Sequence, residues 1–238
     1  MNFHELKSDA KEIIKTAKPS VITVGLIFIM ISTVFTALSN RVLTNNITAH
    51  DAELLYKAYE IQDYDYVLSF ASKLRPTVSG SLINLAIEAV MVIVSAGFII
   101  FLLNTVRKTG AAAAGNLLDG FSNPVKLVLL SFLTGILIFL QSLLLIVPGI
   151  IAAFAYSQAV YILLDNPEKG VMQCLKESRQ MMKGHKWELF RLDLSFLGWL
   201  LLSAIVMPVE IWTTPYISTT KVLYYEKLRG AQSSAYFQ

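Results

Sequence analysis

The chain has one cysteine, Cys174, among 238 residues. No internal disulfide can form, and without a CxxC pair or a Cys/His cluster nothing supports structural zinc. The three histidines, His4, His50 and His185, stand far apart, and no two have metal-ligand spacing. There is no GxSxG elbow and no GxxxxGK[ST] loop, so neither a serine nucleophile on its usual turn nor a phosphate cradle is present. Charge is also thin. Asp, Glu, Lys and Arg make up 16% of the residues, against about 25% in soluble domains. The net charge of +3 is too small to point to nucleic acid. Paired carboxylates and nucleophile–base sets at usable spacing are missing as well. The expectation is therefore a protein that is not an enzyme and needs no cofactor or metal.

What is abundant is apolar sequence. Mean hydropathy is +0.56 and 55% of residues are hydrophobic. Leu127 to Leu164 is 38 residues without one Asp, Glu, Lys or Arg, and Pro148-Gly149 lies past its middle. One straight helix of that length would run about 57 Å, against a hydrocarbon core of about 30 Å. The stretch is too long for one span and suits two, with a turn expected at Pro148-Gly149. Further spans are read between Lys18 and Arg41, between Arg75 and Arg107, and after Asp193. A last apolar piece, IWTTPYISTT, is interrupted by Pro215. The fold class expected is all-α, a polytopic membrane bundle of about six transmembrane helices with amphipathic interfacial helices.

Cations orient such a set, because loops rich in Lys and Arg remain cytoplasmic. With six spans, sixteen Lys and Arg fall inside and four outside; with five spans the division is thirteen and seven. Six spans with both termini cytoplasmic fits better, and five remains the alternative. A cleaved signal peptide ending near Ala37-Leu38-Ser39 competes for the first span. Against it, the residues before that span pattern as a whole amphipathic helix rather than a short basic leader.

Residues 1–18 place Phe3, Leu6, Ala10, Ile13, Ile14 and Ala17 on one helical face and Lys7, Lys11 and Lys15 on another. Such a helix can lie on an anionic leaflet or pack its apolar face on the protein. Residues 44–79 form the sizeable extracytoplasmic loop. Leu54, Leu55, Ala58 and Ile61 suit one short helix, and Tyr66, Phe70 and Leu74 a second. Residues 166–184 read as a cytoplasmic amphipathic helix opened by Asn166-Pro167 and stopped at Gly184. Lys176, Arg179 and Lys183 lie on its outer face, and Trp187 re-enters the interface. Residues 1–230 are expected to form one integral membrane domain, with 231–238 a tail or an appended remnant.

From Pro148 onward, PGI, YSQAVYILLDNP, CLKESRQMMKGHKWELFRLDLSFLGW, PY and YYEKL follow in order, with LLDGF at 117–121 upstream. This pattern resembles the domain-of-unknown-function 975 family, integral membrane proteins of mainly Firmicutes bacteria. More distantly, PGI followed by a basic ES…M.G helix is similar to the membrane domains of some glycerophosphodiester phosphodiesterases. No counterpart of their catalytic barrel is seen, so no catalysis is implied. The family implies a membrane topology and leaves the role open.

Ionisable residues inside a membrane are functional candidates, because burying them is costly. Glu88 lies within the second span, with Asn84 one turn before it, and Glu210 lies at the outer end of the fifth. If these face a shared cavity they could pass an ion or small solute. If Glu88 instead pairs with Arg41, Lys73 or Arg75, or bonds to Asn84, they are structural. Asp165 and Asp193 bracket the fourth loop, one suited to capping and the other to pairing with Arg191 or Lys186. The leading reading is a non-enzymatic protein acting through membrane lipids, another membrane protein or a second copy of itself, as an accessory, assembly or protective factor. Candidate lipid contacts are Lys7, Lys11, Lys15, Lys176, Arg179, Lys183 and Trp187. Transport through Glu88 and Glu210 is the alternative.

Overall fold

A computed structural model describes residues 2–44, 49–73 and 77–236. The helices, in order, are α1 (Phe3–Thr16), α2 (Val21–Thr44), α3 (Ala49–Glu60), α4 (Tyr64–Lys73), α5 (Val78–Arg107) and α6 (Pro124–Leu144). They continue as α7 (Ile146–Tyr156), α8 (Ala159–Asp165), α9 (Val171–Met181), α10 (Lys186–Leu194), α11 (Leu197–Ile205) and α12 (Glu210–Tyr236). Short 3-10 segments cover Ala114–Ser122 and Met207–Val209, and there are no strands among the described residues. The all-α class expected from the sequence is the class observed. The chain divides into two units, Met1–Ile29 with Val92–Gln238, and Met30–Met91.

Within the larger unit, α1 begins where the Asn2 carboxamide accepts hydrogen bonds from the His4 and Glu5 backbone N–H groups, a side-chain cap for otherwise unpaired donors. Leu6, Ala10 and Ile14, spaced four apart, are buried, and α1 packs on α12. The protein itself therefore covers the apolar face of α1.

Among the described residues, four helical stretches are long and apolar enough to cross a membrane: Val21–Val42, Val78–Arg107, Pro124–Leu144 and Ile146–Asp165. They carry much exposed apolar surface, for example Phe132, Phe139, Leu143 and Ile146. Such area is costly in water and at home in lipid.

The hairpin α6–α7 turns at Leu145, not at Pro148-Gly149. Leu145 is extended, with φ −164° and ψ 151°. Pro148 instead sits in the first turn of α7, where its missing N–H costs no helical bond. Gly149 serves the closure itself. A Cβ there would lie 1.9 Å from Ser142 Oγ, so only glycine allows the two arms to close this tightly.

The fifth and sixth expected spans do not form helices of that kind. Residues 194–210 divide at Ser195–Phe196 and again at Val206–Val209, leaving α11 with nine residues, about 14 Å by helix rise. The next apolar piece is the start of α12, which runs straight through Pro215. That helix carries Lys221, Glu226, Lys227 and Arg229, too polar overall to qualify. The amphipathic helix also starts later than expected. Gly170, not Asn166, precedes α9, while Gly184 takes the expected left-handed conformation after it, φ +85°.

In the smaller unit, Ser39 of α2 donates a hydrogen bond to Asn84 of α5. The expected pair of short loop helices forms as α3 and α4, which pack together and bury Ala58 and Phe70. Asp63 caps α4 through a bond from the Tyr66 N–H at 3.0 Å. Tyr56, Tyr59 and Tyr64 are exposed. Leu74 and Arg75 lie outside the described residues, as does the end of the tail, 237–238.

Candidate functional site

Charge in the larger unit gathers where three helices come to one level. α5 ends at Arg107, α8 ends at Asp165, and α12 passes them at Tyr225–Arg229. Arg107 Nη2 lies 2.8 Å from the Asp165 carboxylate and 2.5 Å from Glu226 Oε1, and its Nε donates to the same Glu226 oxygen at 2.9 Å. Arg229 Nη1 is 3.0 Å from Asp165, and its Nη2 3.2 Å from Glu226. The Tyr225 hydroxyl donates to Asp165 at 2.7 Å. The Asp165 side chain is 7% exposed, so three donors replace the water it has lost, as a buried carboxylate requires. Burial, then the bond to Asp165, pushes the Tyr225 phenol above its ordinary range. Beside this cluster, Lys126 at the start of α6 donates to the carbonyls of Pro167 and Lys169. The connections 108–123 and 166–185 thus leave the bundle at the same end, opposite the Leu145 turn.

The first of these connections is seated by backbone contact. A Cβ on Gly120 would lie 2.0 Å from the Ile93 carbonyl oxygen, and one on Gly97 2.2 Å from that of Leu117. The LLDGF segment therefore crosses α5 at two positions where only glycine fits. The second connection seats α9 through Ser178. The α7–α8 helix is interrupted at Ser157–Gln158, which would leave polar backbone unpaired in an apolar setting. The Ser178 hydroxyl accepts from the Gln158 N–H at 3.1 Å and donates to the Ala155 carbonyl at 2.9 Å, all within the buried interior.

At that interruption a cleft of about 450 Å³ opens. Ile99, Ala153, Phe154, Val160 and Leu189 form its apolar wall; Ser157, Gln158, Tyr161, Tyr224, Asp193 and Lys221 supply its polar groups. Lys221 Nζ is 3.1 Å from Asp193 Oδ1. Gln158 is 3% exposed and its Nε2 donates to Ser157, while its Oε1 has no partner among the described residues. Burial pushes the Tyr224 phenol upward, so it stays protonated and donates to the His185 carbonyl at 3.1 Å. Sequence reasoning had Asp165 and Asp193 bracket the fourth loop, one to cap a helix and the other to pair with Arg191 or Lys186. Asp165 instead pairs with Arg107 and Arg229, and Asp193 pairs with neither of the expected cations. Its partner is Lys221. The cluster of Arg107, Glu226, Tyr225 and Arg229 on Asp165 was missed. The available signal was charge at the very ends of apolar runs.

The other candidates are dispersed. Glu88 is exposed and has no bonding partner among the described residues; the Lys73 side chain and Arg75 fall outside them. Asn84 is engaged by Ser39. Glu210 is exposed as the first residue of α12. Neither carboxylate lines the cleft at Gln158. Lys7 is half-buried, donating to the Ser195 carbonyl at 3.3 Å and lying 4.4 Å from the Phe196 ring centroid. Burial and the Lys11 charge lower its pKa. Lys11, Lys15, Lys176, Arg179, Lys183 and Trp187 are exposed. Cys174 is fully buried and its thiol pushed upward by that burial, the opposite of an activated nucleophile. No group of three His, Cys, Asp or Glu able to hold a metal ion occurs among the described residues.

The model of a family described as protein of unknown function (DUF975) matches residues 1–232, and the chain belongs to that family. No curated protein and no solved structure is similar to it.

Proposed function

We propose that this is a multi-pass protein of the bacterial plasma membrane, with both termini cytoplasmic. In this reading it carries out no reaction of its own and works by binding membrane lipid at its inner face, as an accessory or protective factor. One contrast supports it. Arg107, Lys169, Lys221 and Arg229 are paired with the protein's own carboxylates, and Lys126 is held by backbone carbonyls. Lys11, Lys15, Lys176, Arg179 and Lys183 are exposed and have no carboxylate partner among the described residues. Lys11 and Lys15 sit on α1 and Lys176 and Arg179 on α9, helices whose opposite faces are buried in the protein, and Lys183 lies in the turn that follows α9. A cation beside an anionic leaflet contributes about 1 kcal/mol, so five together make a substantial attraction. Trp187, 65% exposed, suits the same interface.

The test replaces all five cations by Gln in the full chain and measures phosphatidylglycerol retained on the purified protein by native mass spectrometry. Retention should fall several-fold; unchanged retention sinks the lipid reading. Orientation is tested separately by Lys176→Cys in a Cys174→Ser background. Labelling of intact cells by an impermeant thiol reagent would place α9 outside and overturn the topology.

A further inference from the structure

We infer that the cleft at the α7–α8 interruption is a site for one phospholipid whose head carries both a phosphate and a primary ammonium. The argument rests on the lipid-binding reading above and adds a second, selective site to it. Ile146, Ile150, Ala153 and Ser157 fall at i, i+4, i+7 and i+11, and the first three are exposed. They form an apolar track from the Leu145 turn to the mouth of the cleft, about 16 Å by helix rise. That is close to half of a ~30 Å hydrocarbon core, the depth one acyl chain covers in one leaflet. The track ends where polar groups begin, so it suits an amphiphile and not a wholly polar solute.

The polar end carries one cation and one anion, Lys221 and Asp193, 3.1 Å apart, together with the unpartnered Gln158 carbonyl oxygen. A zwitterionic head matches that balance. Its phosphate takes the place of Asp193 as the partner of Lys221, and its ammonium donates to Asp193 and to Gln158. Each charge keeps an opposite neighbour and the cleft remains neutral. A head with an anionic phosphate and no ammonium would separate Lys221 from Asp193 and leave that carboxylate without a cation, which is costly away from water. A trimethylated ammonium keeps the charge but has no N–H to donate.

The experiment offers the purified full chain phosphatidylethanolamine, phosphatidylcholine and phosphatidylglycerol with identical acyl chains, and reads each bound species by native mass spectrometry. Phosphatidylethanolamine should be retained about tenfold over phosphatidylcholine, the factor one charge-assisted hydrogen bond provides. Asp193→Asn should bring that ratio close to one, and Lys221→Gln should lower retention of both. Should either variant fail to fold, the wild-type ratio decides alone. Equal retention of the two, or preference for phosphatidylglycerol in the cleft, overturns the assignment. The five-cation Gln variant separates the two readings: it should lose phosphatidylglycerol and keep the ethanolamine-to-choline ratio. Wild-type protein that retains phosphatidylglycerol in excess, with phosphatidylethanolamine and phosphatidylcholine retained equally, removes the cleft site and leaves the surface reading standing.

Discussion

The two ends of the α6–α8 hairpin are held by different physics. At the Asp165 end of α8, Arg107 of α5 and Tyr225, Glu226 and Arg229 of α12 converge, and Lys126 ties the start of α6 to the connection after α8. At the Leu145 end, Leu143, Leu144, Leu145, Ile146 and Val147 are all exposed, and closure depends on close contact at Gly149. One end is fixed by directional, charge-assisted bonds that specify which helices meet. The other is fixed by shape and left for lipid to cover. Specificity therefore concentrates where the polar connections emerge, and the tip needs only to be apolar and tight.

The contrast can be broken most forcefully at Asp165. Asp165→Ala strips Arg229 and Tyr225 of their shared acceptor and leaves Arg107 with Glu226 alone. A loss of about 3 kcal/mol is expected from such a buried network, read as a large drop in the detergent melting temperature. Gly120→Ala comes next, because its Cβ must displace backbone rather than a movable side chain. About 1–3 kcal/mol of strain is expected, and the same substitution at Gly115, where nothing lies within 4 Å, should be nearly silent. Ser178→Ala removes one hydroxyl that serves two backbone groups, at a cost of about 1–2 kcal/mol; hydrogen exchange should quicken at Gln158 before elsewhere.

A smaller effect concerns acid. The His185 hydrogen bond holds the Glu188 carboxyl below its usual range. A lowered folded pKa means the contribution is present above the unfolded carboxylate value of about 4.3 and fades as pH falls through the lower folded one. Glu188→Gln should flatten the acid limb of melting temperature against pH and leave the neutral region nearly unchanged. The smallest effect belongs to the tip: Leu144→Ala should shift stability by less than about 0.5 kcal/mol.

Much of this architecture was legible from composition alone. The charge-free run from Leu127 to Leu164 marks a hairpin because no soluble core accommodates it. Val171, Leu175, Ser178 and Met182 announce the buried face of α9 by spacing, and all four are buried. Local signals misplace boundaries where tertiary contacts decide. Pro148 is a strong turn signal, yet it fits the first turn of a helix equally well, and the break falls at Leu145. Pro215 reads as an interruption, yet α12 continues through it. The site was hidden for a different reason. Arg107 finds partners 58 and 119 residues away, and no periodicity encodes that. Glu88 and Glu210 stood out as charges within apolar sequence, a signal of cost that carries no information about partners.

The packing of α1 on α12 has a consequence for biosynthesis. α1 leaves the ribosome long before α12, so Leu6, Ala10 and Ile14 must wait for their cover until translation has passed through Glu210–Tyr236. A chain stopped before α12 displays that oily stripe to membrane chaperones and proteases, and its concealment reports that the two helices have met.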